Sequence, residues 1–124
     1  MDRFTLVELL NPLYREVQKA IIESVTEDMA QLSLFIYRTQ PNECHPDCIL
    51  SYVQDIKKSQ LRQKEAQTRF KENLTQIEKK EIPELKPFLS KISSMTEKEL
   101  WDHHLSDAFL EFFDELTMDY QDWV

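Results

Sequence analysis

Residues 12–38, PLYREVQKAIIESVTEDMAQLSLFIYR, decide the fold. Tyr14, Val17, Ile21, Val25, Met29, Leu32, Phe35 and Ile36 recur there at steps of three and four residues. That spacing gathers side chains into one stripe of an α-helix, and at 1.5 Å per residue the helix is about 40 Å long. Asn11 and Pro12 suit an N-cap and a first helical position, where proline's fixed φ fits and its missing N–H is not needed. Thr5 and Glu8 have the spacing of a capping box and mark a separate short helix over 5–10. The pattern thus predicts two helices, 5–10 and 12–38.

Pro41, Asn42 and Pro46 mark residues 39–46 as a loop. A second long helix is expected over 47–81, with a heptad seam of Ile49, Val53, Ile56, Gln60, Gln63, Gln67, Phe70, Leu74 and Ile77. Both ends of the seam are apolar and its middle is three glutamines. Burying unpaired amides carries a desolvation cost, so these either pair with polar groups opposite or stay in water. Lys58, Arg62 and Arg69 fall almost opposite the seam.

Pro83 and Pro87 punctuate the next stretch, and a short helix is expected over 87–93. Ser94 with Glu97, and Thr96 with Glu99, form overlapping capping boxes that open a last helix over 96–121. That helix gathers Trp101, Leu105, Ala108, Phe109, Phe112, Phe113, Leu116 and Tyr120 within about 140°, with Asp107, Glu111 and Asp114 facing away. The 124 residues include no glycine. Tight hairpins, phosphate-cradling loops and dinucleotide fingerprints lean on glycine for positive φ, so their absence from the expected fold follows. The expected architecture is all-α and a single domain, 1–124. It is a long antiparallel, coiled-coil-like hairpin with the C-terminal amphipathic helix packed across it. The second helix outreaches its partners and has a polar centre, a pattern that a second chain can complete.

Charge is unevenly spread. The net charge of −8 divides into −2 over residues 1–40, +1 over 41–83 and −7 over 84–124. Lys57 to Lys71 holds six basic residues and one acidic, Glu65, whereas Glu99 to Val124 holds eight acidic residues and no Lys or Arg. Such a dipolar acidic chain does not suit direct nucleic-acid binding, which wants net basic surface. No apolar run is long enough for a leader or a bilayer span, so neither a membrane nor a secreted setting is expected. The expected location is the cytoplasm or nucleus, where Cys44 and Cys48 form no disulfide framework.

The nearest approach to site chemistry is a candidate zinc set of Cys44, Cys48, His103 and His104, which has the soft sulfur and nitrogen donors that zinc prefers. The plainer reading of these residues is a buried Cys48, an exposed Cys44 and a core-edge His104. The Glu-x-x-His pairs of di-iron bundles do not occur, and the EF-hand, Walker, G-x-S-x-G and H-E-x-x-H patterns are missing as well. The sequence therefore implies no enzyme and no cofactor. It points to a non-catalytic protein–protein interaction module, a small adaptor or structural subunit of a helical assembly, or a homo-oligomer. Candidate partner-binding residues are Lys58, Gln60, Arg62, Gln63, Gln67 and Arg69 on the second long helix, then Tyr120 and Trp123 in the acidic, aromatic C-terminus. Two alternatives stand beside this one. The first is an acidic inhibitor or chaperone that sequesters a basic protein or mimics nucleic acid, and the second is a zinc-stabilised regulatory domain.

Overall fold

The computed structural model describes residues 2–39 and 46–121, with side chains through Leu116. Every element among them is helical: α1 (Arg3–Thr39), α2 (Pro46–Lys79), a 3-10 turn (Pro83–Leu85), α3 (Lys86–Ser93), α4 (Glu97–Trp101) and α5 (His104–Gln121). The expected all-α hairpin is present. α1 and α2 run antiparallel, with Glu27 bonded to Gln60 and Gln63 and the Tyr37 and Tyr52 rings 5.4 Å apart.

Residues 5–10 and 12–38 are one helix, contrary to the break expected at Asn11-Pro12. Proline leaves the Glu8 carbonyl without its helical donor, but both Pro12 and Glu8 lie on the exposed side, where water can serve that oxygen. On the other side Leu6, Leu10, Leu13 and Val17 are buried in a continuous row that crosses the proline and holds the helix together. The N-cap is Asp2 rather than Thr5, with Asp2 Oδ1 accepting from Thr5 N at 2.9 Å and from Thr5 Oγ1 at 3.0 Å. These two bonds, the backbone one first, hold the Asp2 carboxyl below its ordinary pKa.

The last helix is also not as expected: residues 96–121 hold two helices. Thr96 caps α4 as its spacing implies, accepting from Glu99 N at 3.2 Å and donating to Glu99 Oε1 at 3.1 Å. Ser94 turns back instead and donates to the Lys91 carbonyl at 2.7 Å. α4 ends at Trp101, His103 adopts φ +66°, and α5 restarts with Asp107 N bonded to His103 O. Glu81, just beyond α2, takes φ +51°. With no glycine in the chain, these two left-handed positions fall on ordinary residues, which adopt that backbone only at a cost.

The core sits at the end of the hairpin that holds the N-terminus of α1. Phe109 is fully buried, and its ring meets those of Tyr14, Phe70, Phe88 and Phe113 at centroid distances of 4.9 to 6.4 Å. Leu85, Ile92 and Leu105 close the same cluster, and Phe112 and Leu116 pack on its edge. Offset and edge-on aromatic pairs of this kind add about 0.5–1.5 kcal/mol each beyond burial. The hairpin projects beyond this bundle as a two-helix arm.

Candidate interaction surface

The arm reverses the usual arrangement of an amphipathic hairpin. In the register set by Glu27 and Tyr37, Ala30 lies level with Ser59 and Ala20 lies within a turn of Ala66, and all four are buried. Small residues at these levels let the helices approach closely. Charged and amide side chains fill the middle of the contact, and towards the far end the Tyr37 and Tyr52 rings meet beside half-buried Leu34, Ile49, Val53 and Ile56. Glu27 Oε1 accepts from Gln60 Nε2, and Oε2 from Gln63 Nε2, each at 2.8 Å. Arg62 Nη1 lies 3.5 Å from Glu23 Oε1, and Glu16, buried, pairs with Lys19 at 3.4 Å. The contact side of α1 is thus largely polar.

The apolar stripe of α1 faces elsewhere. Up to Ile21 it packs on the bundle core, with Val17 buried and Tyr14 against Phe109 and Phe113. Beyond Ile21 it runs past the bundle. Ile22, Val25, Met29, Leu32, Phe35 and Ile36 are all exposed, from 46% for Ile36 to 65% for Met29. At 3.6 residues per turn, five of these (all but Phe35) fall within an arc of about 80°, on a strip about 21 Å long. The centre of this arc is turned well away from the direction of Ala30 and Glu27, which face α2. Large apolar side chains that are contiguous and uncovered mark a binding surface, whereas single scattered ones do not.

Three of the six α2 residues expected to bind a partner make contacts within their own chain. Gln60, Gln63 and Arg62 reach α1 of their own chain, so the glutamines in the middle of the seam pair with a carboxylate opposite. Arg62 does so from a position nearly opposite the seam, because its long side chain reaches round to Glu23. Gln67 is half-buried, and it lines with Gln60 and Gln63 an open groove of about 580 Å³ along α2. Lys58 and Arg69 are exposed on the outer side of the helix. Trp123 and the Tyr120 side chain lie outside the described residues.

The proposed zinc ligands are not brought together. Cys48 is half-buried near the far end of the arm, beside Tyr37 and Tyr52. Tyr52 first, then Cys48, raise the Tyr37 phenol above its ordinary pKa. His103 and His104 are exposed at the corner between α4 and α5, close to where the Trp101 ring meets that of Phe70. Twenty-two residues of α2 separate Cys48 from Phe70, about 33 Å along the helix. His104 Nδ1 lies 3.1 Å from the Asp102 carbonyl oxygen. Cys44 lies outside the described residues. Among the described residues no group of three or more His, Cys, Asp or Glu could hold a metal ion, and no helix is long and apolar enough to cross a membrane.

The acidic C-terminal segment spends part of its charge on its own chain. Glu97 pairs with Lys71 at 2.6 Å and accepts from Trp101 Nε1 at 3.0 Å, and Glu111 pairs with Lys91 at 3.3 Å. The Lys71 bond, then that of Trp101, holds the Glu97 carboxyl below its ordinary pKa. These pairs are exposed and contribute on the order of 0–1 kcal/mol each, enough to orient α4 and α5 on the hairpin but not to fold them. Comparison with protein-family models, curated proteins and solved structures finds no match for this chain.

Proposed function

We propose that this protein is a non-catalytic protein–protein interaction module, a small adaptor or structural subunit of a helical assembly. One observation carries the reading: the six exposed apolar side chains on the arm of α1, Ile22 to Ile36. A helix lying along that strip removes them from water, and each large side chain so buried contributes about 1.5–3 kcal/mol before ordering costs are subtracted. The polar contact with α2 stays intact, because the stripe takes no part in it. This places the proposed surface on α1, in contrast to the α2 residues favoured by charge and seam pattern.

The test is capture from the native source by tagged wild-type chain and by the Met29→Glu, Leu32→Glu double variant. Both positions are exposed, so the variant should keep the helical circular dichroism of the wild type. A stoichiometric protein captured by the wild type and lost in the variant supports the reading. Identical capture by both chains, or none by either, overturns it. An acidic sequestering function draws on the exposed Asp107, Glu111 and Asp114 along the outer side of α5. It requires that charge reversal at those three residues abolish binding to a basic partner.

A further inference from the structure

Resting on that reading, we infer that the apolar strip of α1 is covered by the same strip of a second copy of this chain. The two α1 helices pack antiparallel about a two-fold axis beside Met29.

Area is the first argument. Taking about 200 Å² for a large apolar side chain, the exposed fractions of Ile22, Val25, Met29, Leu32, Phe35 and Ile36 come to roughly 700 Å². A standard stable interface takes about 800 Å² from each partner, so one strip against its copy is close to a complete interface without further surface.

Charge is the second. A two-fold interface sets each patch against itself, so a charged patch repels its own copy and an uncharged one does not. The 80° arc of the five aligned strip residues holds no charged side chain, Asp28 lies at its edge between Leu32 and Phe35, and Met29 to Tyr37 contains no Asp, Glu, Lys, Arg or His. Residues 22–39 and 46–61, which form the arm, hold five acidic and three basic residues, whereas the whole chain carries −8. Among the described residues the acidic excess lies in the bundle, where 84–116 hold eight acidic and three basic residues.

The position of that excess also fixes the direction of packing. Parallel strips set the two bundles, with their acidic 84–116 segments, side by side. Antiparallel strips send them to opposite ends. With the axis at Met29, the midpoint of the strip, Ile22 lies level with Ile36 of the second copy. Ile21, the last α1 residue packed on its own bundle core, lies level with the second copy's Tyr37. Each bundle therefore begins about where the other arm ends, and the pair forms a four-helix middle between two separated bundles.

The experiment is sedimentation equilibrium of the purified full chain over a wide concentration range, with far-ultraviolet circular dichroism as the folding control. The expected mass is twice the 14.9 kDa of one chain. Met29→Glu should halve it, while Leu61→Glu, equally exposed but on α2, should leave it unchanged. The axis is tested by mild oxidation of chains with Cys44→Ser and Cys48→Ser. Met29→Cys should cross-link to itself, and Ile22→Cys should not, because its copies stand about 21 Å apart along the helix. A wild-type monomer throughout, or a dimer that survives Met29→Glu, overturns the inference. Cross-linking at both positions overturns the antiparallel packing. A monomeric chain that still captures a different protein through the strip leaves the interaction-module reading standing, so the two failures are distinguishable.

Discussion

Val17 and Val25 are the same residue on the same sequence stripe, two turns apart, and the structure gives them opposite fates. Val17 is 1% exposed within the bundle core and Val25 is 49% exposed on the arm. Replacing each with alanine removes the equivalent of two methylene groups. At Val17 the lost transfer free energy is about 1.6 kcal/mol, to which an unfilled cavity adds. Alanine's better helix propensity returns roughly 0.5 kcal/mol, leaving a net loss of about 1.5–2 kcal/mol. At Val25 only half of the transfer loss applies, and the same propensity gain nearly cancels it. The expected change there is within about 0.5 kcal/mol of zero. Urea unfolding followed at 222 nm, in solution dilute enough that association contributes nothing, measures both. The m-value should stay constant, since neither change alters the surface exposed on unfolding. Equal losses at the two positions would refute the outward-facing stripe, and the proposals built on it would fall with it.

Three further outcomes follow from the contacts that shape the arm and the corner. Glu27→Ala removes the shared acceptor of Gln60 and Gln63 and should cost about 1–2 kcal/mol. A double-mutant cycle with Gln63→Ala should give a coupling of at least about 0.5 kcal/mol, and strict additivity would mean that the pair does not interact. The Glu97 carboxyl, depressed by Lys71 and Trp101, should titrate below 4.5. Its small contribution is therefore present above that unfolded value and is lost as pH falls through the folded one. Trp101 fluorescence in a Trp123→Phe background reports this step, Lys71→Met should move it back up, and a wild-type midpoint at or above 4.5 contradicts the contact. His103→Gly should raise the unfolding midpoint, by about 1 kcal/mol in stability, because φ +66° costs a side-chain-bearing residue what glycine avoids. His103→Ala should give no such gain, and equal behaviour of the two variants would rule out left-handed backbone at that position.

The helical periods were legible because they depend only on local spacing. The stripe from Tyr14, the seam through Phe70 and Ile77 and the aromatic face around Phe109 all lie within helices, and the second long helix has boundaries near those expected. The misses came where tertiary context overrides a local signal. Pro12 ordinarily opens a helix, but a buried row of leucines on the opposite side carries α1 through it. The corner at His103 ordinarily shows itself by glycine, and this chain has none to show. Apolar periodicity reveals which side of α1 is greasy, yet nothing in it says what lies against that side. The signal that could have answered was present in the small residues Ala20, Ala30, Ser59 and Ala66. It was present also in the matching of Glu23 and Glu27 with Arg62, Gln60 and Gln63, two sets that fall into register once the helices are laid antiparallel.

That matching bears on why the strip is open. Two carboxylate oxygens on the contact side, Glu16 Oε2 and Glu23 Oε2, are buried without a hydrogen-bond partner in the protein, so rotating α1 to bury the strip would be expected unless something opposed it. Here the rotation is blocked. Turning the strip toward α2 would strip Glu27 of its two amide donors and Glu23 of Arg62, and would force large side chains between helices spaced for alanine and serine. Losing both amide bonds to Glu27 costs about 1–2 kcal/mol, and forcing large side chains into the close contact adds overpacking strain of about 1–3 kcal/mol. The polar contact therefore fixes α1 in the one orientation that presents Ile22 to Ile36 outward. In this arm the hydrogen bonds between the helices specify which side is offered, and the apolar side chains are left to supply affinity for whatever lies along them.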